Sequence, residues 1–354
     1  MIEDLPLISI NIRIYKFWSF LLGNTWRRYL CYMLCFTLNI AQLFDMFMTS
    51  EAIEVKIRYA YGFGLWFDTN LRGIMLGARR FAHENFFKQL ETLYLEIKNN
   101  ATDSNIIKLL DDTTSFSRKL SIINLMMGSI VYSFYLPYFN KLATPYYEII
   151  YVYMTLITPI GCMTYIPYSS LIVSSLLFGI LMCKILQYRL LNLHGELNSE
   201  KELMDKVVWC VQYQLKLIDY IQHFNKLISY LFLIEFIIFG AILCALLFMF
   251  LIVNDVPQTL IVSTYILMIF GQIASFSWFA NELYEESLKI AYAAYSTDWI
   301  HYSSAFKKSI LLLILRSHKP LAMKIGNVFD LNLTQFQSLM NTTYSAFTLL
   351  RRFY

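Results

Sequence analysis

The chain has 354 residues, with 29 Lys and Arg against 25 Asp and Glu, a net charge of +4, and only 15% charged residues in all. Hydrophobic residues make up 57% and aromatic residues 17%, more than a soluble globular domain has use for. This composition excludes an ordinary soluble fold and points to an all-α polytopic membrane protein, and the small, dispersed positive charge gives no reason to expect a nucleic-acid partner.

Residues 1–28 hold Arg13, Lys16, Arg27 and Arg28 but no short apolar run leading to a small-residue cleavage site, so insertion is expected to rely on the first span. About 20 apolar residues are needed to cross the hydrocarbon core. The runs 29–50, 57–78, 119–140, 152–186, 227–253 and 259–281 qualify, and the closing segment 331–353 would be a seventh. Pro159 and Pro167 in the fourth run predict a kinked or extended helix. Between the spans, 81–100 and 201–227 carry apolar residues at helical spacing, such as Phe87, Leu90, Leu93 and Tyr94. They predict helices that extend the spans into the cytoplasm and need a partner for their apolar stripe. Residues 282–330 are polar and charged and read as a cytoplasmic anchor region. With no internal repeat or low-complexity linker, 1–354 reads as one seven-helix membrane domain.

Orientation follows from the basic residues. With the N-terminus inside, 23 Lys and Arg fall in cytoplasmic segments and 5 outside, while Arg72 lies within a span. The expectation is a cytoplasmic N-terminus and, after seven spans, an extracellular C-terminus. A G-protein-coupled receptor starts outside, and neither its Asp-Arg-Tyr after the third span nor its Asn-Pro-x-x-Tyr in the seventh is present.

Signals for chemistry are weak. Cys31, Cys35, Cys162, Cys183, Cys210 and Cys244 mostly sit in apolar runs and read as small core residues. His83, His194, His223, His301 and His318 are scattered without ligand spacing and read as surface or interface residues. "YGFG" at 61–64 lacks the third glycine of a nucleotide fingerprint, and no nucleophile elbow, P-loop or carboxylate dyad appears. No catalytic residue, metal or cofactor is expected. The sequons at 100–102, 332–334 and 341–343 fall in cytoplasmic or membrane segments, where none should be used. Charges inside spans are costly. Asp68 and Arg72, four apart, share a helical face as a pair, read as a staple of the second span. Glu235 and Asp45 stand alone, each to snorkel, pair with another helix or stay protonated.

The outer halves of spans two, three and four are rich in aromatics: "YAYGFGLWF" (59–67), "VYSFYLPYF" (131–139) and "YVYMTLITP" (151–159). The outermost rings fit an interfacial belt. Deeper ones, with residues of later spans, would line an apolar cavity with a few hydroxyls, suited to a small volatile or lipophilic ligand. The candidate lining is Phe63, Trp66, Phe67, Tyr132, Tyr135, Leu136, Phe139, Thr158, Cys162, Thr264 and Met268.

In the closing segment, Thr334, Gln335, Ser338, Asn341, Thr342, Ser345 and Thr348 recur every three or four residues, opposite Phe336, Leu339, Met340, Tyr344 and Phe347. Such a stripe either packs on other helices or lines water, and a pore would need several subunits around an axis.

The last sixty residues carry a resemblance. "AYSTDW" (294–299), "RSHKP" (316–320), Gly326, "VF" (328–329) and the polar last helix resemble the insect odorant receptors. Thr343-Tyr344 is shared with the related gustatory receptors, but the Gln-Phe that follows there is absent. The link between spans four and five has only about 40 residues, short of the co-receptor's insertion, so the chain resembles the ligand-tuned subunit. The resemblance implies a tetrameric, ligand-gated, non-selective cation channel in the plasma membrane of sensory-neuron dendrites. Co-receptor subunits would complete it through the anchor helices, and a volatile organic ligand would bind in the outer halves of spans two to six. The pore would be lined by Gln335, Ser338, Thr342 and Ser345, with an outer gate near Leu349 and Phe353. Arg352 stands beside it, where a neutral Gln is expected in the co-receptor, and four such charges would oppose cations. The alternatives are a gustatory-type receptor channel, or a transporter or scaffold whose polar last helix is packed.

Overall fold

The computed structural model describes residues 4–21, 25–48, 53–101, 103–133, 146–193, 200–253 and 255–353. Ten helices form among them: α1 (Ser9–Phe17), α2 (Thr25–Met48), α3 (Ile53–Ala78), α4 (Arg80–Asn100), α5 (Ser104–Ser133), α6 (Tyr146–Leu191), α7 (Glu200–Ile252), α8 (Val256–Tyr295), α9 (Ser304–Ser317) and α10 (Leu333–Phe353). A helix overlies each of the seven apolar runs, although residues 134–140 of the third run lie outside the described part.

Of the expected extensions, 201–227 is continuous with its span in α7, whereas 81–100 forms its own helix, α4, after a break at Arg79. α7 has 53 residues, so at 1.5 Å each it measures about 80 Å, more than twice the roughly 30 Å hydrocarbon core. α6 stays helical for 46 residues with Pro159 and Pro167 inside it. The apolar stripe of 81–100 has found its partner in α7: the Phe86 ring stacks 5.2 Å from Tyr220 and 5.1 Å from Phe224. These rings belong to the larger hydrophobic core, which also takes in the interior of α6 around Leu176, Phe178 and Met182.

By length and hydropathy alone, three helices among the described residues are long and apolar enough to cross a membrane: α6, α7 and α8. The others carry polar residues, and in α2, α3 and α5 these zip neighbouring helices together. Asn39 donates to the Phe63 carbonyl (3.3 Å), Asn70 to the Cys35 carbonyl (3.2 Å) and Ser117 to Ser174 Oγ (2.8 Å). α1 is fixed in the same way, by Asn11 on Ser121 Oγ and Tyr15 on the Thr164 carbonyl.

Two expectations change here. His83 is not a surface histidine: it is buried in the first turn of α4. Its Nδ1 lies 2.9 Å from the Arg79 carbonyl, which can only accept, so Nε2 is the acceptor facing the Tyr168 hydroxyl at 3.3 Å. Burial, which disfavours the charged ring, pushes its pKa down to about 4. Within the anchor region a two-stranded antiparallel ribbon forms, β1 (Lys324–Ile325) with β2 (Phe329–Asp330). Its turn places Gly326 at φ +59° and Asn327 at +60°. The Gly326 amide donates to the Ser229 carbonyl on α7 at 2.9 Å, and a Cβ there would meet Leu233 at 2.8 Å. Only glycine meets both demands.

Candidate functional site

Two polar constellations stand out against the apolar bundle, with a hydrophobic cluster between them. The cluster is built from four helices: Tyr61 and Leu65 of α3, Cys162, Tyr165 and Ile166 of α6, Phe239 to Met249 of α7, and Val262, Tyr265, Ile269 and Ile273 of α8. Phe336, Leu339 and Met340 of α10 pack against it. Its polar content is sparse. The Tyr61 and Tyr265 rings lie 6.1 Å apart, the Cys162 thiol meets Ser129 Oγ at 3.7 Å, and the Tyr165 hydroxyl donates to Gln272 Oε1 at 2.6 Å.

The sequence candidates distribute unevenly around this cluster. Cys162 is a member and Met268 packs against it. Trp66 is buried against Gly161 within the larger core. Phe63 stacks on Phe67, which is 42% exposed, at 5.8 Å. The Thr158 and Thr264 hydroxyls donate to carbonyls one turn back, on Met154 and Leu260. Tyr135, Leu136 and Phe139 lie outside the described residues, as does the side chain of Tyr132. Sequence reasoning did not single out Tyr61, Tyr165 and Tyr265, three tyrosines that converge from three helices.

Below the cluster lies a buried charge triad. Glu235 does not stand alone: its Oε1 is 2.8 Å from Arg72 Nε, and Asp68 Oδ2 is 3.2 Å from the same nitrogen. All three side chains are at most 1% exposed. Arg72 Nη1 donates to the Tyr165 carbonyl (3.0 Å) and to Ser169 Oγ (2.5 Å). The guanidinium carbon also sits 3.9 Å from the centre of the Tyr165 ring, a cation–π contact. Gln272 of α8 donates to Ser169 Oγ at 3.2 Å and so closes a network across α3, α6, α7 and α8. The pair expected within α3 is present, and Glu235 extends it into an interhelical tie. The side chain of Asp45 is outside the described part.

The second constellation is the face of α10. Asn332 Oδ1 caps its first turn by accepting from the Gln335 amide at 2.8 Å. Phe336, Leu339, Met340 and the buried Thr343 turn inward, with Phe336 edge-on to Phe270 at 5.3 Å. α7 admits α10 closely at Gly240, where a Cβ would meet Leu339 at 3.1 Å. Thr334, Gln337, Ser338, Asn341, Thr342 and Ser345 form a polar strip on the exposed side. Leu349 and Arg352 continue that side, Gln335 is half-buried, and the Phe353 side chain is outside the described part. Tyr344, expected opposite the stripe, flanks it and is 63% exposed. The Thr342 and Ser345 hydroxyls donate to the Ser338 and Asn341 carbonyls one turn back, whereas the side-chain amides of Gln337 and Asn341 face outward. Gln337 is a stripe member that the sequence reading omitted.

Among the described residues no group of three His, Cys, Asp or Glu is placed to hold a metal ion. Residues 52–344 match the family model described as 7tm Odorant receptor. The chain is 38% identical to Odorant receptor 30a of Drosophila melanogaster, over 99% of this chain and 97% of that protein. It is 36% identical to Odorant receptor 10 of Aedes albopictus (99% and 98%) and 32% identical to Odorant receptor Or2 of Anopheles gambiae (100% and 100%). Its fold is similar to that of the insect olfactory receptor OR5 from Machilis hrabei in complex with eugenol, with a TM-score of 0.82, 16% identity, and coverage of 100% of this chain and 98% of that one.

Proposed function

Given that this chain belongs to the insect odorant receptor family and is a multi-pass membrane receptor rather than an enzyme, we propose that it is the odorant-sensing subunit of a heteromeric, ligand-gated, non-selective cation channel. In this reading the N-terminus is cytoplasmic, and the chain works in the plasma membrane of sensory-neuron dendrites with co-receptor subunits, as a tetramer. A small volatile ligand enters the outer cluster between α3, α6, α7 and α8. Its contacts are Phe63, Trp66, Cys162 and Met268 together with Tyr61, Tyr165 and Tyr265. The eugenol bound by the structural relative is a small molecule of the size and polarity that such a cluster suits.

The observation that carries the reading is the outward polar face of α10. Back-bonding lets Thr342 and Ser345 tolerate an apolar neighbour, but the Gln337 and Asn341 amides on that face would each cost several kcal/mol in hydrocarbon. Water in a central pore relieves them. Ser338, Thr342 and Ser345 line that pore, and Leu349, Arg352 and Phe353 stand at its outer end. The test is Ser338→Lys in cells co-expressing the co-receptor. A wet pore keeps the lysine charged and loses cation conductance while assembly and surface labelling persist. Lost assembly would instead mean a packed, dry face, as in the scaffold alternative.

A further inference from the structure

We propose that Arg72 is a positioning residue for channel opening, shared between Asp68 on its own helix and Glu235 on α7, and that the exchange between the two carboxylates sets how firmly α7 is held to α3. The inference rests on the channel reading above.

The geometry makes the two pairings compete. Both carboxylates lie within ion-pair distance of one nitrogen, Nε, at 3.2 Å and 2.8 Å, and Nε carries a single hydrogen. Nη1 is already committed to α6 through the Tyr165 carbonyl and Ser169 Oγ, so the guanidinium can rock between its partners but cannot leave. With no exposure to water neither pair is screened, so a shift of Nε towards one carboxylate weakens its hold on the other. The outcomes differ mechanically. A pairing with Asp68, four residues back, is internal to α3 and ties nothing together. A pairing with Glu235 crosses to α7.

Each end of this switch reaches a working part. Tyr165, whose ring lies 3.9 Å from the guanidinium carbon, is a member of the outer cluster, so a ligand that moves this ring moves the arginine's support. Five residues beyond Glu235, Gly240 seats Leu339 and Thr343 of α10. Holding or releasing α7 at Glu235 therefore shifts the seat of the pore helix. This is a two-state element that both sites bias, which is the physical requirement for coupling them.

A purely structural triad and a switch respond differently to neutral, near-isosteric substitutions. Asp68→Asn removes the competitor and favours the α3–α7 tie; Glu235→Gln removes the tie. The readout is basal current in agonist-free solution from cells co-expressing the co-receptor, normalised to surface-labelled protein. The two variants should shift it in opposite directions, each by about two- to thirtyfold, the range for residues that modulate coupling without touching ligand. Shifts in the same direction, or no shift in either, overturn the proposal. If both variants fail to reach the surface, Asp68→Glu and Glu235→Asp carry the test, since each keeps its charge and changes its reach by one methylene. Opposite shifts again support the switch, and matching shifts or equal loss overturn it. No current beyond that of the co-receptor alone in the wild type would overturn the channel reading and the switch with it; current with matching shifts overturns the switch alone.

Discussion

The triad at Arg72 and the outer face of α10 are both polar groups in a chain built for lipid, yet they are handled in opposite ways. The triad is built from ionisable side chains sealed from solvent, and α3, α6, α7 and α8 each contribute a polar atom to its network. The face of α10 carries uncharged Thr, Gln, Ser and Asn and is left exposed. One chain encloses the more expensive groups and leaves the cheaper ones facing out. On the proposed reading, α10 meets its surroundings in the assembled channel, whereas the triad is enclosed within its own bundle.

The largest effect is expected at the triad. Arg72→Leu leaves two buried carboxylates without their cation, which should destabilise the fold by about 3–5 kcal/mol and remove the protein from the cell surface. Surface labelling at wild-type levels would mean that the bundle is not closed on itself as described.

Next in size is a pH effect just beneath the triad. His83 titrates near 4 in the folded chain and near 6.5 when unfolded. Between those values the unfolded state binds the proton and the folded state does not. Stability is therefore full above about pH 6.5 and falls as the pH drops towards 4, by up to about 1.4 kcal/mol per unit. Thermal unfolding of purified protein across this window should show the slope, and His83→Gln should flatten it.

Smaller again is Gly326→Ala, which forces a left-handed backbone and a clash with Leu233 on the ribbon that docks α7; we expect a loss of about 1–2 kcal/mol in the same thermal assay. The smallest change sharpens the cluster. Tyr265→Phe keeps the ring and removes the hydroxyl. Half-maximal agonist concentration should rise by about two- to tenfold with expression unchanged, the effect of one lost hydrogen bond. Trp66 suits this test poorly, because truncating so deeply buried a side chain would destabilise the core as well.

The helices and the stripe were legible in the sequence because each is a long periodic signal. Seven apolar runs mark seven helices, and the 21-residue α10 repeats its polar positions often enough to define a face. What the sequence could not give is pairing between distant segments. Nothing local to Glu235 encodes Arg72, and Tyr61, Tyr165 and Tyr265 converge only when three helices pack. The ribbon at 324–330 is too short for any period, although Gly326, quoted as part of the family resemblance, turned out to mark its turn. His83 was misplaced because a histidine among charged residues looks exposed until α4 is laid on the bundle.

A pore lined by α10 requires the exposed face of that helix to meet water. Thr342→Cys, co-expressed with the co-receptor and treated with a charged, membrane-impermeant thiol reagent during agonist application, tests this most directly, since position 342 lies on the exposed stripe. We predict that agonist-evoked current falls progressively and irreversibly, and that it falls faster with agonist than without. Full current after prolonged treatment, with assembly intact and a control cysteine at an exposed extracellular position labelled, would contradict the pore reading.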